Sequence, residues 1–307
     1  MSGAATVPVT LIVPTWNGGD AWRRVLAAIT ALDPRPEHVV VIDSSSTDGS
    51  ADAARAAGFD VEVIDQREFD HGKTRMRGVM RARTELVAFL SQDALPRPDY
   101  LGHLVEALRD PSVGGATARI LPHADSSPLA RRTALASPLA SAEPRVVSVE
   151  PEAFARATPA ERRRSCLFDD VASLTRRALL IEHPFPRGDM GEDVAFAEQV
   201  LLAGMKLAFV PAAVVEHAHE YGPVTAFRRY RDDARFARRR FGVGVRRSIL
   251  DVLRGIAHEV REDFRAARRE SFGVRLRMVL FSPLLRGAQV IGQWWGSRAG
   301  MGGGAPA

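Results

Sequence analysis

The first 120 residues repeat one pattern: a short β-branched apolar run breaks into a polar loop, and a helical segment follows. That repetition confines the chain to an α/β fold. Val9-Thr10-Leu11-Ile12-Val13 reads as a buried strand, ended by Pro14 and the turn Asn17-Gly18-Gly19. A helix is expected over 20–32, with Asp20 as N-cap and Trp22, Val25, Leu26 and Ile29 at helical spacing. Val39–Ile42 is a second strand, and the loop 43–50 leads into an Ala-rich helix that Asp48 would cap. Val61–Ile64, a helix over 73–84 and the strand Leu86–Leu90 follow, then Ser91-Gln92-Asp93-Ala94. Short connections of this kind imply a mostly parallel central sheet flanked by helices. Ligands of such sheets gather at the carboxyl ends of the strands, where all of these polar loops fall.

From about Leu121 to Arg164 the pattern weakens into Pro, Ala, Ser and Arg, which reads as a mobile or substrate-contacting excursion. Periodicity returns over Val171–Leu180, with a helix expected around Asp193–Ala203 and strands at Leu207–Val210 and Val214–His217. Beyond Tyr221 the chain is helical, with stretches over 245–264 and 274–290. This divides it into an α/β domain over 1–221 (halves of about 1–120 and 121–221), a helical region over 222–300 and a flexible tail over 301–307.

Charge follows the same division. From Gly222 onward, 18 arginines stand against 7 acidic residues (net +11), whereas residues 1–221 carry 24 basic and 30 acidic residues (net −6). A basic tail on an acidic body suits a polyanionic neighbour; only Lys73 and Lys206 are lysines, and genomic base composition accounts for so much arginine as well as selection does. Met278, Leu280, Phe281, Leu284, Leu285, Ile291, Trp294 and Trp295 are interleaved with Arg275, Arg277, Arg286 and Arg298. This pattern fits a membrane interface; a helical lid packed on the core or a dimer surface fits it equally. Nucleic acid is disfavoured, because no recognised binding module accompanies the arginines. A single cysteine, Cys166, excludes an intramolecular disulfide framework and a cysteine-based zinc cluster. With no secretory pattern at the N-terminus, and no run near the roughly 18 apolar residues of a membrane span, a cytoplasmic protein is expected.

Neither G-x-G-x-x-G nor G-x-x-x-x-G-K-[ST] occurs, so both common phosphate cradles are absent. Instead the strands run into Val-Pro-Thr-Trp-Asn (13–17), Ile-Asp-Ser-Ser-Ser-Thr-Asp-Gly-Ser (42–50) and Phe-Leu-Ser-Gln-Asp-Ala-Leu-Pro (89–96). Phe-Asp-His-Gly-Lys-Thr-Arg (69–75), Gly-Glu-Asp (191–193) and Val-Glu-His-Ala-His-Glu-Tyr (215–221) complete a series of six. In this order the stretches resemble family 2 glycosyltransferases, and among them the rhamnosyltransferase-like branch, over roughly residues 8–240.

The resemblance implies a GT-A nucleotide-diphospho-sugar transferase fold and an inverting, metal-assisted transfer. Under it, Pro14, Thr15, Asn17, Asp43, Arg75, Gln92 and Asp93 bind the nucleotide sugar, with Arg75 facing the base or diphosphate. Asp93 would hold a divalent cation, Mg or Mn, with His217 as second ligand and His219 beside it. The family motif usually carries two or three acidic residues where Ser91-Gln92-Asp93-Ala94 carries one. Asp193 matches the general base, with Glu192 adjacent, and Asp169-Asp170 is a candidate acceptor contact. Residue by residue, plainer roles stay open. Asp43 suits a turn or helix cap, Arg75 a solvated helix face beside Arg77 and Arg81, and Glu192-Asp193 a helix N-terminus; either histidine suits a structural hydrogen bond.

The activity implied is transfer of a sugar, L-rhamnose from dTDP-rhamnose by the branch resemblance, to a glycan or lipid-linked hydroxyl in cell-envelope polysaccharide synthesis. It would act in the cytoplasm, with room for a homo-oligomer and for peripheral contact with the inner face of the membrane. Three alternatives stand beside it: a UDP-hexose donor, a non-catalytic glycan- or nucleotide-binding subunit of a membrane-associated assembly, and a nucleotidyltransferase. The last ordinarily brings a basic Gly-rich loop after its first strand, which Pro14–Gly19 is not. A glycoside hydrolase carboxylate pair leaves the nucleotide-type loops unexplained.

Overall fold

The computed structural model describes residues 5–187, 190–246 and 248–298; Gly188 and the tail over 301–307 lie outside the described residues. The chain divides into two compact units. The first comprises residues 1–121, 138–157 and 164–217; the second comprises 122–137, 158–163 and 218–307.

The first unit holds the sheet. Its strands are β1 (Thr6–Thr15), β2 (Arg35–Asp43), β3 (Asp60–Val63), β4 (Leu86–Leu90), β5 (Leu95–Pro96), β6 (Val113–Leu121), β7 (Arg145–Val147), β8 (Ala172–Arg176) and β9 (Lys206–Glu216). They run in the order β3-β2-β1-β4-β8-β6-β9-β5, with β7 also on β9. The parallel pairing expected for the first four strands is present, and β6 and β9 are parallel as well. Every antiparallel pair involves β5, β7 or β8, so the complete sheet is mixed. Val9, Leu11, Val13, Trp22, Val41, Ala88, Leu90, Tyr100, Leu101, Leu174 and Val215 belong to its main core.

The first helix, Gly19–Thr30, is entered from Gly18 without a side-chain cap. Asp20 therefore lies inside its first turn, where negative charge is favoured, and pairs with Arg23 at 2.6 Å. The segment read as an excursion is ordered into helices Pro128–Leu135, Pro151–Arg156 and Pro159–Ser165, together with β7. Its prolines open helices instead of breaking them, because a residue at the first helical position needs no amide donor. Ser127 and Glu150 cap two of these helices by accepting from the amides of Ala130 (3.2 Å) and Ala153 (2.9 Å).

The second unit is helical, built on Pro128–Leu135, Pro223–Phe241, Ile249–Ala267 and Phe272–Arg298. An ionic group lies in its interior. The Arg286 guanidinium forks onto both oxygens of Asp263, at 2.7 and 2.9 Å, and both side chains are buried. Ser282 donates to Asp263 at 2.5 Å, and Arg132 binds both Asp263 and Glu259. No helix among the described residues is long and apolar enough to cross a membrane.

Candidate active site

The loops at the ends of β1, β2 and β4 are laced together by side chains. Strand register sets Thr15 opposite Asp43. The buried Asp43 carboxylate accepts from Thr15 Oγ1 (3.1 Å), Ser46 Oγ (2.6 Å) and the Ser46 amide (2.8 Å). Asn17 has φ 43° and its amide donates to Ser46 Oγ, while its own Oδ1 accepts the Thr47 amide, both at 2.8 Å. Asp48 bridges the two loops, taking the amides of Gly19 (2.7 Å) and Ser50 (3.0 Å). From the β4 loop, Gln92 makes a two-way amide pair with the backbone of the exposed Trp16: Oε1 accepts at 2.8 Å and Nε2 donates at 3.1 Å.

Asp93, beside Gln92, is reached from the far end of the chain. The antiparallel pair β5–β9 aligns Leu95 with Glu216, and this brings His217 to the β4 loop. His217 Nε2 stands 3.4 Å from Asp93 Oδ1, and its amide is fixed on the Leu121 carbonyl at 2.7 Å. β9 ends at Glu216, so His217 follows the strand instead of ending it. His219 is exposed and stacks on Tyr221 at 5.0 Å.

A second cluster is acidic. Gly191, at φ 84°, opens the helix Glu192–Leu202, whose first turn carries Glu192 and Asp193. Asp169 and Asp170 precede β8, held beside the β4 loop because the Ser91 amide donates to the Val171 carbonyl at 2.9 Å. Among the described residues, Arg75, which sequence placed at the nucleotide, reaches two of these carboxylates. Its Nη1 donates to Glu192 at 2.8 Å and its Nε lies 3.6 Å from Asp170, with all three side chains buried. Its helix, His71–Arg81, is capped by Asp70 and pressed against the segment before Gly188. A Cβ on Gly72 would fall 2.3 Å from the Pro186 carbonyl, which only glycine permits. His71, in the same motif but given no role by sequence, lies 4.0 Å from Glu192.

Burial, with added repulsion from Asp169, Asp170 and Glu192, holds Asp193 well above the ordinary carboxylate range. Burial and the charges of Glu192 and Asp169 outweigh Arg75 and the Ser173 hydroxyl, pushing Asp170 up to about 7. Asp193 still accepts its neighbour's amide, from Val194 at 2.7 Å. Both carboxyl groups thus hold a proton more tightly than an exposed carboxylate does.

The glycosyl transferase family 2 model matches residues 10–178. The chain belongs to that family. This glycosyltransferase is 30% identical to the O-antigen chain rhamnosyltransferase RfbN of Salmonella typhimurium over 74% of its own length and 72% of that protein's. It is 29% identical to the rhamnosyltransferase WbaN of Salmonella anatum, covering 74% and 71%. Among solved structures, the mannosyltransferase PcManGT of Pyrobaculum calidifontis, in complex with GDP-Man and Mn2+, matches with a TM-score of 0.57 at 20% identity. That match covers 94% of this chain and 87% of the other, and it shows the shared GT-A fold.

Proposed function

We propose that this glycosyltransferase moves L-rhamnose from dTDP-rhamnose to a hydroxyl of a glycan or lipid-linked acceptor in cell-envelope polysaccharide synthesis. The observation that carries the reading is the connected set of loops that runs from Asp43 through Thr15, Trp16 and Gln92 to Asp93 and His217. A sugar nucleotide needs such a series, with polar groups for base and ribose at one end and a site for its diphosphate at the other. Support for rhamnose comes from the names of the two Salmonella relatives, both chain rhamnosyltransferases.

In this reading Pro14, Thr15, Asn17, Asp43 and Gln92 hold the nucleotide, and Asp93 and His217 hold a divalent cation. The Asp93–His217 pair fits such an ion chemically, since it offers a hard carboxylate oxygen and an imidazole nitrogen side by side. The mixed donors favour Mn over Mg, which prefers oxygen throughout. When bound, the cation supplies charge neutralisation for the diphosphate leaving group.

Asp193 acts as general base: a carboxylate oxygen takes the acceptor hydroxyl proton as that hydroxyl's oxygen attacks the anomeric carbon, and the bond to the diphosphate breaks with inversion. Its raised proton affinity suits the task, because a stronger base draws the proton further in the transition state. Arg75 is a positioning residue that holds Glu192 and Asp170 around it. The basic C-terminal region would keep the enzyme peripherally on the cytoplasmic face of a membrane displaying the acceptor.

Donor turnover by Asp93→Ala, measured with and without EDTA, tests the assignment. The variant is expected to lose most activity and all response to EDTA; full activity in both conditions ends it. Melting a panel of nucleotide sugars with the protein identifies the donor, since binding raises the melting temperature by mass action. Stabilisation by UDP-hexoses and not by dTDP-rhamnose would overturn the rhamnose assignment.

A further inference from the structure

The helix Phe272–Arg298 carries apolar residues on both faces. Toward its own unit it buries Met278, Leu285 and Val290 together with Ser282, Arg286, Gln289 and Ser297. To solvent it presents Phe272, Leu276, Leu280, Phe281, Leu284, Ile291 and Trp295, with Leu280 at 67% and Trp295 at 57% exposure. Two features fix this orientation. Gly292 and Gly296 meet the backbone of the helix Pro223–Phe241 so closely that added Cβ atoms would lie 2.5 Å from the Phe227 carbonyl oxygen and 2.0 Å from that of Arg231. The fork of Arg286 onto Asp263 locks the same side inward. The outward face therefore cannot turn in without breaking the packing and the buried ion pair.

Contiguous exposed apolar surface on this scale marks a contact with something apolar. Charge selects the partner. The helix has 27 residues, no acidic residue, and exposed arginines at 275, 277 and 298. Two of these lie over aromatic rings near its ends: Arg275 is 5.7 Å from the Phe272 ring centroid and Arg298 is 4.5 Å from that of Trp294. A second copy meeting this face through a two-fold axis would bring like charges together. An anionic lipid surface offers what the face lacks: acyl chains for the leucines, headgroup phosphates for the arginines and an interface for the tryptophans.

We propose that the outward face of Phe272–Arg298 lies flat on an anionic lipid bilayer, with Leu276, Leu280, Leu284, Ile291 and Trp295 entering the acyl boundary. At 1.5 Å per residue the helix extends about 40 Å along the surface. It lies on the membrane and does not cross it, in keeping with the lack of a spanning helix among the described residues. This gives the peripheral contact proposed above its surface and rests on that contact alone, independent of donor and base.

Full-length protein is titrated with vesicles of phosphatidylcholine alone and with vesicles containing about 30% phosphatidylglycerol, anionic enough to attract nearby arginines. Binding is expected to be at least about tenfold tighter to the anionic vesicles, given the contribution of each arginine near such a surface. Leu280→Gln/Leu284→Gln should weaken it by about tenfold or more through loss of apolar burial. Arg275→Gln/Arg277→Gln should remove the preference for anionic over neutral vesicles. Both pairs are exposed, and circular dichroism and donor hydrolysis should match the parent protein. Equal uptake of parent and both variants overturns the proposal, as does absence of vesicle binding. A dimer in velocity sedimentation that Leu280→Gln/Leu284→Gln dissociates, without vesicle binding, overturns it in favour of a second copy. Failure in either form leaves donor turnover intact, which separates it from failure of the transferase reading.

Discussion

Each unit buries a group of charges, and the two groups are built to opposite ends. In the helical unit Asp263 is matched by Arg286, Arg132 and the Ser282 hydroxyl. Despite its burial, these partners hold Asp263 below the usual carboxylate range. In the sheet unit Arg75 serves Glu192 and Asp170 while Asp169 and Asp193 crowd nearby, and Asp170 and Asp193 are driven upward. A balanced buried group fixes structure, and its charges stay where they are. A buried group whose carboxyls are pushed upward keeps a proton it can exchange, and that is a chemical resource.

The largest contrast should come from removing one acid in each place. Asp193→Asn is expected to cut sugar transfer by about a hundredfold to ten-thousandfold, the range for a positioned base, while thermal unfolding shows no loss of stability. Asp263→Ala should do the reverse. It strands a buried guanidinium at a cost of about 3–5 kcal/mol, visible in denaturant melts, with turnover per folded molecule retained. If Asp193→Asn unfolds the protein and Asp263→Ala does not, the comparison fails.

A pH titration sharpens it. Asp170 takes up its proton near pH 7 when folded but only near its ordinary value of 3.8 when unfolded. Its contribution to stability is therefore fully present below that ordinary value and is lost as pH rises through about 7. The melting temperature should fall as pH rises from about 4 to about 7 and level off above that, and Asp170→Asn should flatten this trend; the acid limb of transfer should lie above the usual carboxylate range. Arg75→Gln is the smallest test. Removing the cation should move the acid limb of the transfer rate upward by about one pH unit. An unmoved limb would show that Arg75 does not tune the cluster.

What could be read from sequence was local. β1, β2 and β4 announce themselves because each is a continuous apolar run buried on both faces, and their polar exits follow directly. β9 reads as two strands because Pro211–Ala213 interrupts it; in the sheet Val210 and Val214 face the consecutive residues Ala118 and Arg119, so the intervening residues bulge from one continuous strand. Arg75 was legible as part of a motif but not as the partner of Glu192, because nothing local links positions 75 and 192. The same holds for Asp93 and His217. The C-terminal helix shows a further limit: composition reveals apolar and basic residues, yet which side faces inward depends on Gly292, Gly296 and Asp263, which only tertiary packing brings together.

The two-residue strand β5 has a consequence for biosynthesis. Because β9 pairs with Leu95 and Pro96 to bring His217 to Asp93, a nascent chain holding the first five strands owns the carboxylate but not the imidazole. The proposed cation site is thus completed late, only after the ribosome has delivered β9, and a prematurely terminated product lacking residue 217 keeps half of a claw.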